Sequence, residues 1–387
     1  MTNYQFEYID NQTRIEECYT YLREASILSI DLEFDKNRFR YGFNLCLIQI
    51  FDGKKTFLID PLANSINLSS IFELLENPAI LKIVFSFSED LRLLHTLNCF
   101  PKGLFDLQIA AGLLNFPPSS LARLVQLVLN IYISKSSQQS NWVKRPLTDK
   151  QLEYAVQDVI HLPEIYTHFE LEFKNKGTRA WIEQEMHHFE SSNHQGANQN
   201  EVLKEKYKSN INEVEWHIFS KLMYVREQHA EKINRPSFHV AHTNTLTSIA
   251  KNPSLLSTWL EIPSNHKTTK NELFINALQT EINSALDEVK ILGLSTRKRA
   301  GKRPSKNEYE RRKELEMKLK MAKKEYFKPI QNSIHQEYGE HVKAMVLNNR
   351  LIKELVLGKH SNLLPYKKEI ILKHQNKLRL NTFSYLS

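Results

Sequence analysis

The chain has 387 residues, 41% of them hydrophobic, and a formal net charge of +8, with an isoelectric point near 9.1 and a mean hydropathy of −0.46. That length suggests two or three domains, and no apolar run approaches the roughly 18–20 residues that cross a bilayer. Cys18, Cys46 and Cys99 are too scattered for a CxxC site or a disulfide framework, and the N-terminus lacks the basic-then-apolar order of a secretory signal, so a cytoplasmic protein without a membrane partner is expected.

In chain order, Ile27 to Phe34 reads as a buried strand that begins to alternate at its end. Asn44 to Phe51 and Thr56 to Ile59 read as further strands, with a tight turn at Asp52-Gly53. Helical spacing follows over residues 69–76 and 88–97, separated by the short β-branched run Ile80 to Phe85. Residues 119–129 and 148–160 are again helical, and the polar stretch 134–141 between them is a loop. Hairpin-like strands followed by strand–helix alternation imply a mixed sheet covered by helices. Residues 191–200 (SSNHQGANQN) have nothing to bury and read as a linker. Beyond residue 208 the pattern is almost wholly helical, and Glu308 to Tyr326 offers i,i+4 pairs such as Glu314 with Lys318, an exposed charged helix. The positive charge is concentrated here. Residues 297–328 hold fourteen Lys and Arg against five Glu, a net +9, which leaves about −1 for the rest. This segment is a solvated connecting helix or a stripe that grips polyanions.

Three groups of acids carry chemistry. Asp31 and Glu33 are two apart on a strand, so period 2 puts both on one face among Ile30, Leu32 and Phe34. Carboxylates in apolar company need a positive partner, and a divalent cation with oxygen ligands is one; a strand end carrying ordinary surface acids is the alternative. Asp90, behind Ser88, is either a first-turn acid favoured by the helix dipole or part of a site. Tyr154 and Asp158 are four apart and share one helix face.

Taken together, one Asp, one Glu and two further Asp from one strand and two helices, with a Tyr one turn before the last, resemble the DEDD exonucleases of the tyrosine-carrying subgroup. The chain resembles ribonuclease D over nearly its whole length: SIDLEF at 29–34, LIQIFDG at 47–53, LIDPL at 58–62, FSEDL at 87–91, FDLQ at 105–108, Trp142, Arg145-Pro146-Leu147, and QLEYAVQD at 151–158. Two positions depart from the family: Phe85 stands where a His is usual, and Asn141 where an Asp usually precedes the Trp. The resemblance implies a ribonuclease H-like α/β exonuclease domain in which Asp31, Glu33, Asp90 and Asp158 hold two divalent metal ions, Mg²⁺ or Mn²⁺, about 3.5–4 Å apart. It implies that Tyr154 orients or helps deprotonate the attacking water, and that nucleoside 5′-monophosphates leave RNA 3′ ends one at a time, with tRNA precursors as the usual substrate. Phe34 and Trp142 are candidates for stacking on terminal bases, with core packing as the alternative for each, and Lys135, Lys144 and Arg145 for phosphate contacts.

The second half, from Phe219 to Pro253, resembles the helicase-and-ribonuclease-D C-terminal (HRDC) domain through Arg226-Glu227 with Ala230, Arg235-Pro236, Val240, and Leu246 to Pro253. Tyr224 replaces the more usual Trp, and Ile262-Pro263-Ser264 lacks the usual Gly. Val346 to Arg350 and Leu363 to Leu372 resemble the last domain of ribonuclease D. The expected organisation is therefore an exonuclease domain at 1–175, a linker at 176–207, an all-α HRDC bundle at 208–290, a basic helical linker at 291–328 and a second HRDC-like domain at 329–387, in a monomer. A DNA-directed exonuclease and a non-catalytic nucleic-acid-binding scaffold are the competing readings. The carboxylates do not separate RNA from DNA, because the 2′-hydroxyl is read by other contacts.

Overall fold

Period-2 alternation of apolar residues builds a sheet with two working faces. The computed structural model describes residues 5–133, 137–192, 203–297, 305–360 and 362–380. Its six strands are β1 (Phe6–Ile9), β2 (Ile27–Lys36), β3 (Phe43–Phe51), β4 (Thr56–Ile59), β5 (Leu81–Val84) and β6 (Leu104–Asp106), in the order β1-β4-β3-β2-β5-β6. The pairs β4–β3 and β3–β2 are antiparallel, and the outer pairs β1–β4, β2–β5 and β5–β6 are parallel. Helices α1 (Gln12–Leu22), α2 (Ser69–Glu76) and α3 (Ser88–Thr96) join the even side chains of β2, Leu28, Ile30 and Leu32, in one apolar cluster. The opposite face of β3 and β4, through Cys46, Leu47 and Leu58, packs with Trp142 and with Ala155 and Val156 of a later helix. The odd residues Ser29, Asp31 and Glu33 of β2 belong to this second face.

The expected strands and helices of residues 27–97 are present. The short strands β1 and β6 and helix α1 are additions to that reading. Both strands pair in parallel with segments far away in sequence, so their short runs carry little local signal. The turn at Asp52-Gly53 closes as expected, with the Asp52 amide donating to the Lys55 carbonyl and Gly53 at a φ of 93°.

The chain continues through α4 (Leu107–Leu113), α5 (Leu121–Leu129), α6 (Asp149–Ile160), α7 (Leu162–Lys176) and α8 (Arg179–Ser191). Ser120 caps α5 by accepting from the Arg123 amide, and Thr148 and Gln151 form a capping box at the start of α6. Helix α8 lies in the segment expected to be a linker. Its Ile182 and Met186 are buried, so this stretch has an apolar face that a free connector lacks.

A middle unit has a core of its own. Helices α9 (Glu213–Lys232), α10 (Ser237–Val240), α11 (Thr243–Lys251) and α12 (Glu272–Leu292) enclose Phe219, Leu222, Met223, Trp259, Leu278 and Ile282. Next, α13 (Lys306–Met321) is exposed over most of its length, as its charged sequence predicts, with Leu319 half-buried against the shared cluster. A π-helical turn at Ala322–Phe327 leads into α14 (Lys328–Tyr338), α15 (Glu340–Val346), α16 (Asn349–Val356) and α17 (Pro365–Lys377). These last helices do not form a separate core. Phe327, Ile330, Val346, Leu355 and Ile371 share one cluster with Phe105, Leu124, Phe169 and Ile182 of the N-terminal half. The junction is also polar: Glu185 accepts a 2.5 Å hydrogen bond from the Tyr366 hydroxyl and pairs with Lys367 at 2.7 Å.

Candidate active site: a carboxylate cluster on the sheet face

Strand β2 delivers two acids to the face covered by α6, and α6 delivers the third. Carboxylate oxygens of Asp31, Glu33 and Asp158 lie within 4.8 Å of one another. Asp31 keeps an opening to solvent, while Glu33 and Asp158 are nearly buried. At Glu33 the β2–β3 register shifts by one: Glu33 faces Leu47, and Phe34 faces Leu45. Such a bulge re-aims side chains beside it and twists the strand locally. Asp90, in the first turn of α3, is buried and close enough to raise both Asp31 and Glu33. The structure thus brings together all four acids named from the sequence, three of them in one tight cluster.

The electrostatics are unfavourable for a cluster left to itself. Burial, then Asp158 and Asp90, push Asp31 well above the usual carboxylate range. Every influence on Glu33 acts the same way: burial first, then Asp31, Asp158 and Asp90. Burial lifts Asp90 to about 8 and Asp158 to about 7. Three hard oxygen donors at this spacing, each destabilised as an anion, fit a divalent cation, which reverses the sign of the local field.

Tyr154 stands one turn before Asp158 and donates its hydroxyl to that carboxylate. Burial and the charges of Asp158, Glu33 and Asp31 drive its ionisation far above neutral pH, so it is a protonated phenol. Its ring is 6.1 Å from that of Trp142.

The structure decides against two of the candidate substrate contacts, taking the packing alternative for Trp142 and overturning the phosphate contact of Arg145. Trp142 is 3% exposed and packed among Cys46, Leu47 and Leu58, so no base reaches its face; it backs Tyr154 instead. All the N–H groups of Arg145 are engaged within the protein: two on Asp60, at 2.5 and 2.7 Å, one on the Cys46 carbonyl at 2.6 Å, and the others on the carbonyls of Trp142 and Lys144. No donor remains for a phosphate. Phe34 is half-buried, edge-on to Phe43 at 5.2 Å, beside the cluster. Lys135 lies outside the described residues. Lys144 is exposed. Of the two departures, Asn141 caps the turn after it by accepting from the Val143 amide at 3.1 Å, and Phe85 is a half-buried packing residue.

Two positioning residues, Asp106 and Asp60, and one unpartnered buried amide, Gln49, were not singled out as such from the sequence. Asp106 is buried and accepts from the amides of Ser86, Phe87 and Gln108, fixing the turn that launches α3 and Asp90. Asp60 anchors Arg145. Gln49 pairs with Asp31 across β2–β3, fully buried, with both amide atoms lacking a partner among the described residues. Each of these lies inside a segment that carries the family resemblance, but only partners distant in sequence reveal what Asp106 and Asp60 hold in place.

Residues 6–174 match the 3′-5′ exonuclease family model. Ribonuclease D of Bartonella henselae is 32% identical over 251 residues, spanning 64% of this chain and 61% of that protein. Ribonuclease D of Haemophilus influenzae is 39% identical over 163 residues, 42% of this chain and 40% of that protein. The chain spans about half the length of the curated relatives it matches. Among solved structures, Escherichia coli RNase D superposes with a TM-score of 0.67 at 21% identity, covering 97% of this chain and 99% of that one. The catalytic core of RRP6 from Trypanosoma brucei gives 0.64 at 20% identity, covering 74% and 81%. These likenesses establish a shared ribonuclease H-like exonuclease fold with helices on both sides of a mixed sheet. The chain is therefore similar to ribonuclease D over part of its length, and its residues 6–174 match the 3′-5′ exonuclease family model.

Proposed function

We propose that this protein is a metal-dependent 3′-5′ exoribonuclease that removes nucleoside 5′-monophosphates from RNA 3′ ends, with tRNA precursors as its substrate class. The observation that carries the reading is the convergence of Asp31, Glu33 and Asp158 within 4.8 Å, with Asp90 beside them and Tyr154 bonded to Asp158. Asp31, Glu33, Asp90 and Asp158 would hold two divalent cations, magnesium or manganese, whose oxygen preference matches this donor set. When bound, such ions activate water and stabilise the leaving 3′-oxygen of an in-line displacement.

The chain's own residues do the positioning. Tyr154, held protonated, orients the attacking water by hydrogen bonding and does not serve as its base. The buried Trp142 and the Arg145–Asp60 pair keep the Tyr154 helix seated against the sheet. Phe34, half-buried beside the cluster, offers the terminal base a ring to stack on, and such stacking contributes about 1–3 kcal/mol per base. The unit at 208–290 and the helices of 329–387, which share the N-terminal core, act as HRDC-type grips, aided by the positive segment 297–328; the resemblance of their motifs and the net charge of that segment support this part. Residues 298–304 of the segment lie outside the described residues.

The test is degradation of a 5′-labelled tRNA precursor with a 3′ extension, in magnesium and in EDTA, by wild type and Asp31→Ala. Stepwise shortening from the 3′ end that needs both the metal and Asp31 is the expected result. Intact RNA binding with no shortening in magnesium or manganese overturns the ribonuclease reading, and shortening of matched DNA alone reassigns the substrate.

A further inference from the structure

A cleft of about 490 Å³ opens where the N-terminal α/β unit meets the middle helical unit. One wall carries Arg40, Asn141 and Lys144, and the other Asn234, Arg235 and His239. Both walls are held in place. Asp35 accepts from the amides of Phe39 and Arg40 and so folds the β2–β3 connection back on the strand. Asn234, at a φ of 49°, accepts from the Tyr41 amide at 3.3 Å and ties the two units together.

The cleft walls are lined by basic side chains, with Glu227 and Glu231 near Tyr41 at its edge. Among the described residues, Arg40, Lys144 and Arg235 form no ion pair. Glu227, the acid nearest Arg226, is already taken by that arginine at 2.7 Å and by the Ser237 hydroxyl. Close by, His266 is held below its usual range, by burial first and then by Arg235, Lys267 and His239. Three basic side chains that line one cleft and form no ion pair among the described residues favour an anionic occupant.

Its position relative to the carboxylates is set by short stretches of chain. Asp35 lies two residues beyond Glu33, about 7 Å along the strand, and Arg40 is tied to it at 2.9 Å. On the same wall, Asn141 precedes Trp142, whose ring is 6.1 Å from Tyr154. The cleft therefore begins within the reach of one or two nucleotides of the acid cluster.

We propose that this cleft carries the single-stranded sugar–phosphate backbone just 5′ of the scissile bond, with Arg40 and Lys144 gripping from the α/β unit and Arg235 from the middle unit. This rests on the exonuclease reading above. It makes the middle unit part of the substrate site, so turnover depends on strand length: a dinucleotide occupies the acid cluster alone, and a longer strand also fills the cleft.

The test uses the full chain with Lys144→Glu and, separately, Arg235→Glu. Both side chains are exposed, so the fold tolerates the reversal, and Arg235→Lys serves as the conservative control. kcat and KM are measured on single-stranded RNA of two, four and eight nucleotides across a salt series. Each reversal is expected to remove on the order of tenfold of the kcat/KM gained by lengthening the strand, through KM. Each should also flatten the slope of log affinity against log salt by about 0.7 for every phosphate no longer neutralised. Arg235→Lys should retain most of the gain. An equal loss at all three lengths, or none at any, overturns the proposal. If wild type degrades no RNA of any length, the exonuclease reading has failed separately. Fluorescence anisotropy of a labelled eight-nucleotide strand in EDTA then decides the cleft: weaker binding by both reversals supports it, and unchanged binding overturns it.

Discussion

Replacing Arg145 by methionine should destabilise the protein without weakening its grip on RNA. The guanidinium joins the middle of β3 and the end of β4 to the segment before α6: it pairs with Asp60 and caps the carbonyls of Cys46, Trp142 and Lys144. Asp60 is 3% exposed and also accepts from the Tyr8 hydroxyl at 2.6 Å and the Leu62 amide. Breaking a buried pair from one side costs about 3–5 kcal/mol, because the remaining charge is stranded. The Arg145 side chain is 24% exposed, which places the loss near the lower end, about 3 kcal/mol. The assay is urea denaturation followed by circular dichroism, paired with RNA anisotropy under conditions where the variant is folded. A double replacement, Arg145→Met with Asp60→Leu, should recover part of the loss but not all, since Tyr8 and Leu62 lose an acceptor. Burial alone would raise Asp60, but hydrogen bonds from Arg145, Tyr8 and the Leu62 amide outweigh it and hold the carboxyl below its usual range. A depressed carboxyl contributes stability above its unfolded pKa and loses it as pH falls through the folded value. The difference between wild type and Arg145→Met should therefore shrink on acidification below about pH 4. A stability change under about 0.5 kcal/mol, together with a clear loss of RNA affinity, would refute the structural assignment and return Arg145 to the substrate.

The raised carboxyls predict that the metal-free protein loses stability as pH rises from about 4 to about 8, since the folded state binds more protons than the unfolded chain there; thermal melts in EDTA should show the slope, magnesium should flatten it, and a pH-independent melt would contradict the cluster's electrostatics. Asp31→Asn should raise the metal-free melting temperature while abolishing most of the magnesium-dependent stabilisation, read by the same melts. Tyr154→Phe should lower kcat about 100-fold with KM and the magnesium shift retained; a wild-type rate that climbs to a plateau governed by a tyrosine ionisation would instead make Tyr154 a base. Gly339→Ala should loosen the C-terminal helices by about 2 kcal/mol, because Gly339 has a φ of 95° and an added Cβ would sit 2.2 Å from the Asn115 side chain. Limited proteolysis of the 328–377 region reads that change, and wild-type resistance would count against it.

What was legible in the sequence is what depends on near neighbours. The spacing of Asp31 and Glu33 sets them on one face of a strand, and that of Tyr154 and Asp158 on one face of a helix, because those periods are properties of the backbone itself. The start of α6 was readable for the same reason: its capping box uses residues three apart. Tertiary structure alone decided which basic and aromatic residues near the site are free. Arg145 and Lys144 are adjacent, yet one is saturated by Asp60 and backbone carbonyls while the other faces a cleft. Trp142 became a packing residue because β3 and β4 close over its ring. Strands β1 and β6, and the common core of α8 with α14–α17, likewise depend on partners far away in the chain. Local periodicity assigns a side chain to a face, whereas burial and hydrogen-bond saturation are fixed by whatever the fold brings against that face, and no short window of sequence contains that information.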